Sequence, residues 1–103
     1  MEKKVCHYSL KNIKNLVIEG KYFITKKAQK TAIEHFGYGE EDILNEILNL
    51  ENSDFYKSMT SYNSHLLWHD VYKKISNNLN IYIKVQILNN SSLIISFKGD
   101  ESL

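Results

Sequence analysis

The sequence predicts an α+β domain, with helices first and an antiparallel sheet after them. Three observations carry this. Up to Leu50, apolar residues recur at helical spacing behind cap residues. Beyond Leu50, aromatic and hydroxyl residues dominate. From Asn80 onward, dry and wet residues alternate along the chain. At 103 residues the chain forms a single domain, residues 1–103, large enough to bury a small core.

Ser9 predicts the N-cap of a first helix, with Leu10, Ile13, Leu16 and Val17 on one stripe and Gly20 as its stop. "KYFIT" follows as a short extended piece. Thr25 caps a second helix, "KKAQKTAIEHF", with Ala28, Ala32 and Phe36 on one face and Gly37 as its end. A third helix opens on Glu40, Glu41 and Asp42, acids that suit the positive end of a helix dipole. Ile43, Leu44, Ile47, Leu48 and Leu50 give it a buried side.

"DFYKSMTSY" predicts a strand. "SHLLWHDVYKKI" is ambiguous: Leu67, Trp68, Val71, Tyr72 and Ile75 have helical spacing, yet Trp, Val and Tyr favour sheet. Trp68, among Leu66, Leu67 and Val71, reads as core. In "NIYIKVQIL", Ile81, Ile83, Val85 and Ile87 alternate with Tyr82, Lys84 and Gln86. "NNSS" is turn chemistry, and "LIISFK" makes a last strand with Leu93, Ile95 and Phe97 inward. Opposed residues of an antiparallel pair share a face, so opposed numbers must have even sums here. A loop across 89–91 gives a sum of 180 and sets Tyr82 opposite Lys98 on the wet face.

Net charge is only +1, but it is unevenly spread. Residues 1–30 carry eight lysines against two acids, and residues 31–56 carry seven acids and no lysine. All 13 basic residues are lysine, so phosphate would meet point charges, not guanidinium forks. Cys6 is alone, which excludes a disulfide framework and suits a reducing compartment. No apolar run approaches the ~18 residues of a membrane span, and the start lacks the apolar core of a secretion signal. Residues 53–72 gather tyrosines, the one tryptophan and two of the four histidines. Such a segment is either packing or a face for stacking single-stranded nucleic acid. His65 and His69 could share a metal ion on a helix but lie too far apart on a strand, so no metal site is expected.

"SDFYKSMTSY", "LWHDVY", "IYIK" and the terminal "LIISFK" together resemble the MqsR (motility quorum-sensing regulator) toxins. The likeness spans nearly the whole chain and is densest from Leu48 to Lys98. It implies an antiparallel sheet with helices packed on one side, akin to RelE-type ribonucleases. It implies a cytoplasmic messenger-RNA endoribonuclease of a toxin–antitoxin pair, acting on single-stranded RNA without metal or other cofactor. The implied partner is an antitoxin with a zinc-binding toxin-contacting part and a DNA-binding part. By motif, the implied site is Tyr56, Lys57, Met59, His69, Lys73, Tyr82 and Lys98. This chain departs from the family pattern twice, with His69 in place of glutamine and Lys73 in place of arginine.

RNA can be cut through its own 2′-hydroxyl if a protein removes that proton, neutralises the phosphorane and protonates the departing 5′-oxygen. The expected roles follow. Lys57 and Lys98 hold the scissile phosphate. Tyr82, made more acidic by nearby ammonium groups, acts as base or acid. His69 makes the complementary proton transfer. Tyr56 and Met59 contact bases, and Lys73 and Lys84 contact the RNA. Each has a plainer reading: Tyr82 as an amphipathic strand residue, Lys57 and Lys98 as solvated edge lysines, Met59 as packing and His69 as a surface imidazole. His7, His35 and His65 read as surface imidazoles too. A rival function is a non-catalytic RNA-binding or transcriptional co-regulatory module on the same fold.

Overall fold

Caps set the three helices. In the computed structural model, which describes residues 1–61 and 64–100 with backbone alone at 64 and 65, α1 spans Leu10–Ile18. The Ser9 hydroxyl accepts the Asn12 N–H, a bond of a kind that contributes ~1 kcal/mol. Gly20, at φ +78°, closes the helix as Lys21 N–H donates back to the Leu16 carbonyl. Thr25 caps α2 (Lys26–Phe36) through Ala28 N–H, and Gly37 ends it at φ +71°. In α3 (Glu40–Leu48) the Asp42 carboxylate accepts the Gly39 N–H, so an acid of the first turn also caps it.

The strands are β1 (Glu2–Lys3), β2 (Tyr22–Ile24), β3 (Phe55–Ser61), β4 (Ser64–Ser76), β5 (Leu79–Leu88) and β6 (Ser91–Gly99). They form one sheet in the order β1-β3-β4-β5-β6-β2. The ambiguous segment around Trp68 is strand, because cross-strand pairing on both sides overrides its helical spacing. The sheet is mixed, which corrects the expectation of an antiparallel one: β2 pairs in parallel with β6. Three residues between two helices hold no local record of their pairing partner. The partner is set by how α1 and α2 pack.

Two Asn-Asn turns build the hairpins. Asn77, Asn78, Asn89 and Asn90 all have positive φ, between 51° and 67°, as two-residue hairpin turns of matching twist require. The Asn89–Asn90 turn is shorter than the loop expected across 89–91, and it pairs Leu88 with Ser91. A bulge then leaves Ile95 unopposed, since Val85 faces Ile94 while Lys84 faces Ser96. The short turn, ahead of the bulge, has already set Ile94, not Ile95, opposite Val85 as the fully buried residue. Past the bulge the register returns to the expected one, and Tyr82 stands opposite Lys98.

Ile81, Ile83, Val85, Tyr72, Ile94 and Phe97 on one face of the sheet join Ile13, Ala28, Ala32, Ile43 and Ile47 of the helices in a single core. α2 also completes the edge of β6 beyond the end of β2. Thr25 and Thr31 hydroxyls donate to the Ile95 and Phe97 carbonyls, and Gly99 N–H donates to His35 Nδ1. Trp68 lies outside the core, contrary to expectation. Leu66 and Leu67 beside it are exposed. Its ring is covered instead by the N-terminal segment, with His7 stacked at 5.5 Å and the Lys3 ammonium 4.1 Å from the centroid.

Candidate active site

The face of the sheet away from the core is organised in cross-strand rows. One row runs Lys73, Tyr82, Lys98 over β4, β5 and β6. The next runs Lys57, Val71, Lys84, Ser96, and a third pairs Met59 with His69. Alternate residues along a strand are ~7 Å apart, so neighbouring rows are within reach of one phosphodiester and its flanking groups. A bulge in β3 at Tyr56 turns that ring into the first row, where the Lys73 ammonium sits 3.9 Å from its centroid.

Between these rows and α2 lies an open concavity of about 540 Å³, lined by His35, Tyr56, Lys57, Lys73, Tyr82, Lys98, Gly99 and Asp100. Five of the sequence-predicted residues, Tyr56, Lys57, Lys73, Tyr82 and Lys98, are thus brought together. Lys84 adjoins them through Lys98 and Lys57. Met59 and His69 are on the same face but one row beyond Lys57, outside the lining. His65 falls outside the described side chains. Asp70, next in sequence to His69, points to the opposite face, is fully buried and accepts the backbone N–H groups of His7 and Tyr8.

Charge is concentrated here. Lys57 is bound by Glu2 of β1 at 2.6 Å, which holds the ammonium above its usual range and the Glu2 carboxyl below its own. Lys73 is 3.6 Å from the Asp100 carboxylate. Among the described residues no ion pair holds Lys84 or Lys98. Burial pushes the Lys84 ammonium down, and the like charges of Lys98, Lys27 and Lys57 push it further. A half-buried cation ringed by cations is relieved by an anion.

Tyr82 corrects an expectation. Its phenol is raised, not made more acidic: burial outweighs the pull of Lys57 because a phenolate loses hydration in this half-covered position. Burial, then Lys84, lowers the His69 imidazole, so that it stays neutral at pH 7.

Sequence reasoning missed Lys27 and His35 of α2, Glu2 and Asp100. A signal existed: Lys27, Thr31 and His35 recur every four residues on α2, a polar stripe on a helix whose other face is buried. Nothing local says that this stripe faces β6.

Fold and site together define a small α+β protein whose open sheet face carries a concavity lined by lysines and tyrosines. The sequence profile of one family, described as motility quorum-sensing regulator, toxin of MqsA, matches residues 5–99. The chain belongs to that family. It is also 39% identical over 98 residues to the mRNA interferase toxin MqsR of Escherichia coli (strain K12), an alignment covering 95% of this chain and 98% of that one.

Proposed function

We propose that this protein is the toxin of a type II toxin–antitoxin system: a metal-independent endoribonuclease that cuts single-stranded messenger RNA at short sequences in the cytoplasm. The observation that carries the reading is the cation cluster of Lys57, Lys84 and Lys98 around Tyr82 on an open sheet face, in which, among the described residues, Glu2 pairs with Lys57 and no carboxylate pairs with Lys84 or Lys98. The relative named an mRNA interferase supplies the substrate class. The three-helix, six-strand arrangement fits a RelE-like ribonuclease fold.

In this mechanism Lys57 and Lys98 grip the scissile phosphate and neutralise the charge that grows on its oxygens. Tyr82, held as a neutral phenol, donates a hydrogen bond to the phosphorane and does not serve as base. His69, held as a neutral imidazole, accepts the 2′-hydroxyl proton of the upstream nucleotide from its place one row beyond Lys57. The 2′-oxygen then bonds to phosphorus as the bond to the 5′-oxygen breaks; the departing 5′-oxygen takes the phenol proton of Tyr82, which water restores, and a 2′,3′-cyclic phosphate is left. Tyr56 offers its ring face to a base, Lys73 and Lys84 meet flanking phosphates, and Met59 lies beside His69 as an apolar base contact.

Support for metal independence is the make-up of the concavity. Its carboxylate is Asp100, beside Lys73, and among the described residues no group of three His, Cys, Asp or Glu side chains converges. The partner we assign is an antitoxin, with a zinc-binding toxin-contacting part and a DNA-binding part. The family description as toxin of MqsA supports an antitoxin as partner.

The test is incubation of purified protein with labelled single-stranded RNA in excess chelator. Cyclic-phosphate ends that vanish in Lys57→Ala, Tyr82→Phe and Lys98→Ala support the enzyme. Intact RNA that merely shifts in migration supports the rival, a non-catalytic RNA-binding or co-regulatory module.

A further inference from the structure

We infer that His35 is a substrate-binding residue of this site, and that its Nε2–H donates to a non-bridging oxygen of the scissile phosphate. The inference rests on the ribonuclease reading for the identity of the phosphate and on separate geometry for the residue. His35 is exposed, and it lines the concavity with Tyr82 and Lys98. The sheet order places it on the wall opposite Lys57: β3 carries Lys57, β4 and β5 intervene, and α2 lies along β6.

One backbone bond sets its chemistry. Gly99 N–H donates to His35 Nδ1 at 2.9 Å, so Nδ1 is the acceptor and the ring proton resides on Nε2. That bond exists because β2 ends at Ile24 and leaves Gly99 with no strand on its outer side. Protonating Nδ1 would break the bond and bring two N–H groups together. The geometry therefore presents Nε2–H as the donor that faces the concavity. Lys57 from one wall, Lys98 and Tyr82 from the floor and His35 from the other wall all line the one concavity.

Two substitutions separate this role from a purely structural one. His35→Asn keeps an acceptor near the Nδ1 position for Gly99 N–H but removes the distal donor. His35→Gln supplies an N–H at the distal position. A donor to phosphate predicts that His35→Asn weakens binding of an uncleavable 2′-O-methyl RNA about tenfold or more and lowers kcat further, while His35→Gln retains most of both. Wild-type behaviour of His35→Asn, or an equal loss in both variants, overturns the proposal.

A measurement on the unmodified protein stands beside them in case a variant fails to fold. Imidazole nitrogen NMR should show the Nε2–H tautomer of His35, with its signal moving on titration with the 2′-O-methyl RNA. A signal that ignores the RNA overturns the proposal. The two readings fail separately. Wild-type protein that cuts neither in chelator nor with added divalent metal, yet loses binding on His35→Asn, removes the ribonuclease and keeps the donor. Normal cutting in both variants removes the donor and keeps the ribonuclease.

Discussion

Tyr82 and Lys98 stand directly opposite each other on β5 and β6, with the Lys98 ammonium 4.9 Å from the centroid of the tyrosine ring. The ring supports the cation while the hydroxyl remains available to the substrate. Tyr82→Phe leaves the ring and removes only the donor. Cleavage of a short RNA should fall about 10²-fold or more, as for other single donors to developing charge, with the melting temperature nearly unchanged. Lys98→Ala should lose cleavage as well and also weaken binding and its dependence on salt. Full activity in Tyr82→Phe would remove the phenol from the mechanism.

His69 sets a pH dependence of known sign. Burial and Lys84 hold its folded-state pKa below the ordinary imidazole value of about 6.5. The unfolded chain therefore binds more protons as pH falls through that value, and stability present above it is lost below it. Cleavage that uses His69 as base should persist to a lower pH than a free imidazole allows. His69→Gln should flatten both profiles on the acid side. Urea melts and initial rates between pH 5 and 8 measure this, and an unchanged rate profile removes His69 as base.

If Lys57 grips the scissile phosphate as proposed, Glu2 competes with RNA for it. Its carboxylate lies 2.6 Å from the ammonium on the rim of the site. Glu2→Gln should free that cation, tighten RNA binding several-fold and steepen the fall of affinity with salt. Fluorescence titration with an uncleavable RNA at two salt concentrations reads both effects. Weaker binding in Glu2→Gln would mean that the pair positions Lys57 instead of blocking it.

Core and site should separate in stability. Ile83 is fully buried beneath the row that carries Tyr82. Ile83→Ala should cost about 2–5 kcal/mol, while Lys57→Ala and Tyr82→Phe at the open face should cost far less. Thermal or urea melts of the three variants, run side by side, give the comparison. A stable Ile83→Ala variant would show that the core is looser than its packing indicates.

Helix ends were legible in the sequence. Ser9, Thr25, Gly20 and Gly37 set helix ends because a cap depends on neighbours a few residues away. Alternation along β5 chose the wet face, while Tyr82 meets Lys98 as expected only because the Ile95 bulge makes up for a turn one residue shorter than the expected loop. The family likeness supplied Tyr56 and Lys57 from "FYKSM", whose bulge no periodicity foretells.

Tertiary structure alone decided the rest. Whether Trp68 is core depends on what covers it, and a chain end folding back from Lys3 and His7 covers it. The parallel β2, the bulge at Ile95 and the placing of Lys27 and His35 at the rim all arise where α2 takes over the open edge of β6. The proton affinities of Tyr82 and His69 also belong to the fold, because desolvation depends on the volume that neighbours exclude. Short-range sterics and spacing are written along a chain. Burial and the meeting of distant edges come into being only when it closes on itself.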